Sequence, residues 1–120
     1  MTVISHTTFE FVELAGRRSA NPLSPEDAAS SVRIVELERT TNRTAHRHPV
    51  SEEVVYVAAG SGEVWIDGTT HPVTAGDVVR IPVGVAHATI PAEGSQMRLV
   101  CFFPHPDLAS NLEETDLTVT

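Results

Sequence analysis

The chain has 120 residues, of which 41% are hydrophobic and 20% charged, and this size and composition indicate one ordered globular domain. Sixteen acidic residues outnumber eight basic ones, and the net charge of −8 argues against binding to nucleic acid or to an anionic membrane surface. All eight basic residues are arginines, which excludes Schiff-base chemistry and a lysine general base.

Proline and glycine interrupt the sequence about every eight to twelve residues, a spacing typical of an all-β sandwich or barrel. The segments between these breaks are rich in β-branched residues, which favour strands. Asp67-Gly68 predicts a tight hairpin turn, and Pro82-Val83-Gly84 predicts a second turn. The predicted strands are Phe9–Leu14, Val32–Glu38, Thr44–His48, Glu53–Ala58, Glu63–Asp67, Asp77–Ile81, Ala86–Ile90 and Met97–Phe103.

Two segments lie outside this strand pattern. Ala15–Ser31 is rich in small polar residues and is predicted to be a surface loop, in which Ser24 could cap one helical turn. The acidic segment Asp107–Thr120 is compatible with a short helix, an added strand or disorder. We therefore divide the chain into three parts: an N-terminal strand and loop (1–31), a barrel (32–106) and an acidic C-terminal tail (107–120).

The sequence also bears on location. The longest apolar runs, Val54–Ala59 and Leu99–Phe103, are far shorter than the roughly 20 residues of a membrane span. Met1–Glu10 has neither the basic start nor the apolar core of a signal peptide. Cys101 is the only cysteine, so no internal disulfide can form. We expect a cytoplasmic protein without a membrane partner.

Three histidines and a glutamate carry the strongest chemical signal. His46 and His48 are two residues apart, so they project from one face of a strand, and Glu53 begins the next apolar strand. His87 follows the turn at Pro82-Val83-Gly84. Imidazole nitrogens and a carboxylate oxygen suit a divalent transition metal. Taken singly, a His-x-His pair is more often a surface feature and a lone histidine more often structural.

The spacing of these residues resembles the cupin family. Its first motif appears here as His46-Arg47-His48, four residues, Glu53 and six residues to Gly60. Its second motif appears as Gly76, five residues, Pro82-Val83-Gly84, two residues and His87. Two positions differ: the family often has a glycine at the place of Thr40 and an asparagine at the place of Pro91. Glu52 lacks the spacing to Gly60 and is expected to face solvent.

The resemblance implies a fold, a site and a function. The fold is a small antiparallel β-barrel of the cupin jelly-roll type. The site binds one divalent transition metal (Fe, Mn, Ni, Zn or Cu) through His46, His48, Glu53 and His87. The function is that of a metal-dependent enzyme acting on a small oxygenated molecule, as a dioxygenase, isomerase, lyase or cyclase. The alternative is a non-catalytic module that binds or senses a metal or a small molecule. A metal-free sugar epimerase of the same superfamily is disfavoured, because such an enzyme does not need four spaced metal ligands.

The resemblance also implies an assembly. Small cupins often dimerise through a terminal strand, and the alternating Phe9 and Phe11 have no obvious partner in an eight-stranded barrel. We therefore expect a homodimer in which the N-terminal segment is buried.

Some residues outside the motifs have more than one possible role. Arg80 and Arg98 lie among apolar residues, so each either reaches the pocket and binds a substrate carboxylate or is exposed or ion-paired. Cys101 is expected in the core, with a pocket-lining position as the alternative. Tyr56 and Trp65 are expected to serve in packing. The histidines expected on the surface are His6, His71 and His105.

Overall fold

The computed structural model describes residues 3–119, which form two antiparallel β-sheets enclosing one core, so the predicted all-β jelly-roll barrel is confirmed. The strands are β1 (Val12–Leu14), β2 (Arg17–Ala20), β3 (Ser31–Glu38), β4 (Thr44–Arg47), β5 (Glu53–Ala59), β6 (Ser61–Ile66), β7 (Thr69–Thr74), β8 (Val78–Ile81), β9 (His87–Pro91), β10 (Gln96–Phe103) and β11 (Glu113–Thr118). Two 3-10 turns cover His6–Thr8 and Ala109–Asn111. No helix in residues 3–119 is long and apolar enough to cross a membrane.

The two sheets place different strands around the core. One sheet has six strands in the order β1-β2-β3-β10-β5-β8, and the other has five in the order β11-β4-β9-β6-β7. Alternation along the strands fills the space between them, because successive side chains point to opposite faces. On β10, the side chains of Met97, Leu99, Cys101 and Phe103 are buried, whereas Arg98 is exposed.

The turn chemistry read from the sequence is confirmed at the hairpin between β6 and β7. Asp67 and Gly68 have φ angles of 46° and 90°, as a two-residue turn with both central residues left-handed requires. Gly60 has a φ of 84°, and a Cβ there would collide with the carbonyl oxygen of Gln96 on β10. Close approach of β10 therefore explains why the first motif ends on a glycine.

The strand predictions missed β2 and β7. The predicted loop Ala15–Ser31 contains β2, which pairs with β3 although it carries no apolar alternation; its inward residues are Arg17 and Ser19. This segment is a strand because its main chain pairs with β3, not because it buries apolar side chains. The strand β7 is mostly exposed and contains Pro72, so its sequence gives no strand signal.

The terminal segments also differ from the predictions in detail. The N-terminal strand is confined to Val12–Leu14, and Phe11 lies before it, under the guanidinium of Arg18 at 4.0 Å. Ser24 accepts a hydrogen bond from the main-chain N–H of Glu26, but only a turn forms there, not a helix. Of the alternatives for the acidic tail, the added strand is present as β11, which pairs with β4.

Candidate metal centre

The four residues predicted from the motifs lie together between the two sheets. His46 on β4 is the direct cross-strand partner of His87 on β9, and His48 follows one residue after β4 ends. Glu53 begins β5 in the opposite sheet. One potential ligand atom from each of the four lies within 4.8 Å of the others. The cluster therefore contains three imidazoles from one sheet and a carboxylate from the other.

The turn of the second motif is tied directly to the first motif. The main-chain N–H of Gly84 donates to the carbonyl oxygen of His48 at 2.8 Å. The ring of His48 also packs edge-on against Phe103, with 4.6 Å between the ring centroids. The side chains of His48, Glu53 and His87 are buried, whereas His46 is half-buried. These contacts fix the cluster as part of the folded core.

The hydrogen bonds of two imidazoles determine which ring nitrogen carries the proton. His48 Nδ1 lies 2.7 Å from the carbonyl oxygen of Asn111, and His87 Nδ1 lies 2.9 Å from that of Val85. A carbonyl oxygen can only accept, so both Nδ1 atoms donate. In the neutral ring, each Nε2 then presents a lone pair.

Those lone pairs face a carboxylate. The Nε2 atoms of His48 and His87 lie 3.3 and 2.9 Å from Glu53 Oε1, and both are buried without a hydrogen-bond partner in residues 3–119. Lone pairs that face a carboxylate oxygen repel it unless a proton or a cation lies between them. Three imidazole nitrogens and one carboxylate oxygen are a donor set for a divalent transition metal. The cluster fits a metal ion, and its carbonyl partners orient the rings as in known metal sites.

The electrostatics keep the donors in the forms that bind metals. Burial, with the neighbouring His87, lowers the pKa of His46 to about 3, so the imidazole is neutral at neutral pH. Burial by itself would raise the pKa of Glu53, but hydrogen bonds and positive charge from His48 and His87, when a proton occupies Nε2, hold it well below its usual range. Metal binding requires neutral imidazole and ionised carboxylate, so an ion that binds here takes the place of the proton between the rings and Glu53.

Asn111 supports the loop between His48 and Glu53, and the sequence analysis did not identify it. Its side chain is completely buried; Oδ1 accepts from the N–H groups of Val50 and Ser51 at 2.9 and 3.1 Å, and Nδ2 donates to Ser51 Oγ at 2.8 Å. Its main-chain oxygen is the acceptor for His48 Nδ1. A single asparagine in the acidic tail is the only signal in the sequence, and its partners lie about sixty residues away.

A cavity adjoins the cluster between the sheets. About 610 Å³ in the cavity and its solvent-open mouth is free of protein atoms. His46, Glu53 and His87 form part of the wall, and most of the remaining wall is apolar, including Val55 and Leu99. Cys101 is both buried in the core and part of this wall, so its two alternatives hold together.

The arginines at the cavity are not the two considered from the sequence. Arg98 is exposed, and the Arg80 side chain is 65% exposed and pairs with Glu52 at 2.7 Å, so the exposed or ion-paired alternative holds for both. Strand alternation explains this, because the neighbours of each arginine fill the inward face. Glu52 points away from the cluster, as predicted. The arginines that line the cavity are Arg17, Arg33 and Arg43.

The remaining histidines and aromatic residues lie outside the cluster. His6 and His71 are exposed, and half-buried His105 lies 3.3 Å from Ser110 Oγ through Nε2. Trp65 is half-buried, whereas Tyr56 is 48% exposed, so packing accounts for only part of its surface. None of these side chains lines the cavity described above.

Comparison with known proteins identifies the family. The family model described as the cupin domain matches residues 33–103, more than half of the chain, so the chain belongs to the cupin family. The sequence is 42% identical to the protein SchB of Streptomyces halstedii over 78 residues, which cover 61% of this chain and 56% of SchB. It is 48% identical to the polyketide synthase CurC of Streptomyces cyaneus over 42 residues, which cover 35% of this chain and 27% of CurC.

Similar solved structures support the same fold. The polyketide cyclase RemF from Streptomyces resistomycificus aligns with a TM-score of 0.76 at 19% identity, covering 98% of this chain and 87% of RemF. The nucleoside dehydratase Pac13 aligns with a TM-score of 0.79 at 15% identity, covering 99% of this chain and 94% of Pac13. The cupin-type barrel predicted from the sequence is confirmed. At these identities the similarity shows the fold and not the reaction.

Proposed function

We propose that this protein is a metal-dependent enzyme acting on a small polyoxygenated molecule, with His46, His48, Glu53 and His87 as ligands of one divalent transition metal. The observation that carries the proposal is the pair of buried Nε2 lone pairs that face the Glu53 carboxylate beside a cavity between the sheets. Iron, manganese, nickel, zinc and copper all suit this donor set. A divalent ion held there would supply Lewis acidity toward a carbonyl or enolate oxygen.

The chain's own residues restrict the chemistry. Burial and the neighbouring Glu53 raise the pKa of the Cys101 thiol well above its usual range, so Cys101 does not serve as a thiolate nucleophile. Within residues 3–119, the cavity wall contains no carboxylate or imidazole other than those of the cluster. A substrate that must lose a proton therefore has to be acidic enough to transfer it to water in the cavity. Compounds with a β-dicarbonyl group meet this requirement, because their enolates are stabilised by two oxygens.

Two of the similar proteins point to the same class of substrate. CurC is a polyketide synthase and RemF a polyketide cyclase, and polyketides are built from alternating carbonyl groups. This chain spans about half the length of SchB and about a quarter of CurC, so the proposal extends to the cupin part alone. We propose a compound of the polyketide type as substrate and an isomerisation, elimination, cyclisation or dioxygenation as the reaction.

The test is a panel of β-dicarbonyl compounds assayed with protein reconstituted separately with each of the five metals, with and without O₂. We expect conversion with one metal, its loss on chelation and its return when that metal is added. Consumption of O₂ would assign a dioxygenase, and anaerobic turnover would assign one of the other reactions. If every metal form binds compounds of the panel and none converts them, the enzyme proposal fails and a binding or sensing module replaces it.

We also propose a homodimer formed through the N-terminal segment. β1 is the edge strand of the six-stranded sheet, and Val12 and Leu14 on it are largely exposed. An exposed apolar edge strand favours pairing with a second chain. We expect light scattering to give twice the chain mass and a shift to the monomer after deletion of residues 1–14. A monomer whose mass and stability are unaffected by the deletion would contradict the proposal.

A further inference from the structure

The cavity beside the cluster is more positive than the rest of the molecule. Three of the eight basic residues, Arg17, Arg33 and Arg43, line it, and Glu53 is the only acidic side chain in its described wall. The chain as a whole has a net charge of −8. This concentration of like charge in one place needs a physical explanation, because arginines next to one another repel.

The strand pattern accounts for how two of these arginines reach the interior. Arg33 on β3 lies on the same face as Val35 and Leu37, which are core residues. Arg17 on β2 is the cross-strand partner of Leu37. Arg43, just before β4, donates from Nη2 to the carbonyl oxygen of Glu38 at 2.9 Å. The three side chains therefore come from separate segments to one wall of the cavity.

Arg17 and Arg33 are both partly buried, and neither forms an ion pair among residues 3–119. The arginine ion pairs among residues 3–119 within 4 Å are Arg18–Glu36, Arg47–Glu113 and Arg80–Glu52. Arg33 Nε is buried without a hydrogen-bond partner, and its Nη2 makes only a long contact of 3.4 Å with Ser19 Oγ. Burial, and then the charge of Arg17, lower the pKa of Arg33, while Cys101, Glu53 and Glu114 act in the opposite direction.

An arrangement of this kind is costly for the free protein and useful for a ligand. Burying a charge without a paired group opposes folding, so such sites persist where a ligand supplies the missing charge. A guanidinium offers donors in a planar fork that matches the two oxygens of a carboxylate. With the Glu53 carboxylate facing the imidazoles, an anion from outside is the natural counter-charge for Arg17 and Arg33.

We propose that Arg17, Arg33 and Arg43 bind an anionic group, a carboxylate above all, at one end of the substrate, while its dicarbonyl end lies at the histidine–glutamate cluster. This inference rests on the proposed function, since the cluster must bind the other end of the same molecule. The substrate class is thereby narrowed to polyoxygenated acids, and neutral compounds with the same dicarbonyl group bind more weakly.

The test compares two compounds that differ in this anionic group. Both 4,6-dioxoheptanoate and heptane-2,4-dione carry a β-diketone, but only the first has a distal carboxylate. Calorimetry with zinc-loaded protein should show that the acid binds at least about 10-fold more tightly, as expected for a charge-assisted pair. The preference should weaken as ionic strength increases. Equal affinity for both compounds would overturn the inference.

Variants assign the preference to particular arginines. Arg17→Gln and Arg33→Gln should each reduce the affinity for the acid toward that for the neutral diketone and leave the affinity for the neutral diketone unchanged. Arg80→Gln is the matched control, because Arg80 is exposed on the outer face, and it should keep the full preference. If Arg33→Gln fails to fold, Arg17→Gln on the short β2 still decides the question. Retention of the preference in Arg17→Gln would overturn the assignment.

The same measurements separate this inference from the proposed function. Binding of heptane-2,4-dione depends on the metal and not on charge, so loss of its binding on chelation supports the proposed metal site alone. If the acid binds equally well to metal-free protein and still depends on Arg17, the anion site stands and the metal-based proposal fails. If neither compound binds the zinc-loaded protein, both proposals fail.

Discussion

The two sides of the cluster are built on different principles. On one side, which we call the tail side (Ser51 and Asn111), every side-chain group of Asn111 is hydrogen-bonded within the protein. On the other, the arginine side (Arg17, Arg33 and Arg43), the Nε group of Arg33 is buried without a partner next to a cavity. Buried polar groups that are fully hydrogen-bonded hold a fixed geometry, whereas a buried donor without a partner can bind a ligand. In our proposals, the tail side positions the metal ligands and the arginine side selects the compound that binds.

The largest effect is expected from removing a member of the cluster itself. His87→Ala deletes a buried imidazole whose Nε2 lies 2.9 Å from Glu53 Oε1, so three ligands remain from the set of four. We expect about one divalent metal per chain in the unmodified protein and loss of most of it in the variant, measured by elemental analysis after purification without chelator.

His71→Ala is the matched control, because His71 is exposed on β7 and outside the cluster. Equal metal content in the two variants would contradict the ligand assignment and, with it, the functional division between the two sides.

A smaller effect on metal and a clear effect on stability are expected for the tail side. Asn111→Ala leaves the N–H groups of Val50 and Ser51 without their acceptor in a buried position. We expect the free energy of unfolding to fall by about 2–4 kcal/mol in denaturant titrations. Since His48 is oriented through the same segment, metal affinity should fall by roughly 10–100-fold.

Asn21→Ala provides the comparison for this prediction, because Asn21 is an exposed asparagine. It should change the free energy of unfolding by no more than about 0.5 kcal/mol. If Asn111→Ala keeps full metal affinity while losing stability, Asn111 supports the fold without positioning His48.

The smallest effect is expected at Cys101, which lies on the wall shared by the core and the cavity. Cys101→Ala removes one buried sulfur and should cost about 1 kcal/mol of unfolding free energy, with metal content unchanged. The raised pKa of the buried thiol also predicts very slow labelling by thiol reagents in the native state. Rapid labelling of the native protein would show that the cavity opens further than this structure indicates.

The residues of the cluster were predictable for a simple reason. His46 and His48 have the two-residue period that places side chains on one face of a strand, and the fixed spacing to Glu53 and His87 completes the motifs. The same two-residue period predicts that Arg33 lies on the inward face of β3 with Val35 and Leu37. It likewise predicts Arg98 on the face opposite Cys101, where the structure has it.

Other features depend on pairing between distant segments. β2 carries Arg17 inward, but its sequence of arginines, serine and alanine gives no strand signal, and β3 alone determines its register. Asn111 is buried by residues about sixty positions earlier in the chain, and neither composition nor periodicity indicates such a contact. Long-range pairing of short polar segments is therefore what the sequence analysis lacked.

The main-chain oxygen of Asn111 joins the end of the chain to a ring of the cluster. Two events that share one bond are thermodynamically linked, and the linkage acts in both directions. If ion binding to the rings strengthens docking of residues 107–119, then detachment of that segment weakens ion binding by the same factor. Protease sensitivity of the last turn and β11 then becomes a readout of ion occupancy, obtained without substrate or turnover.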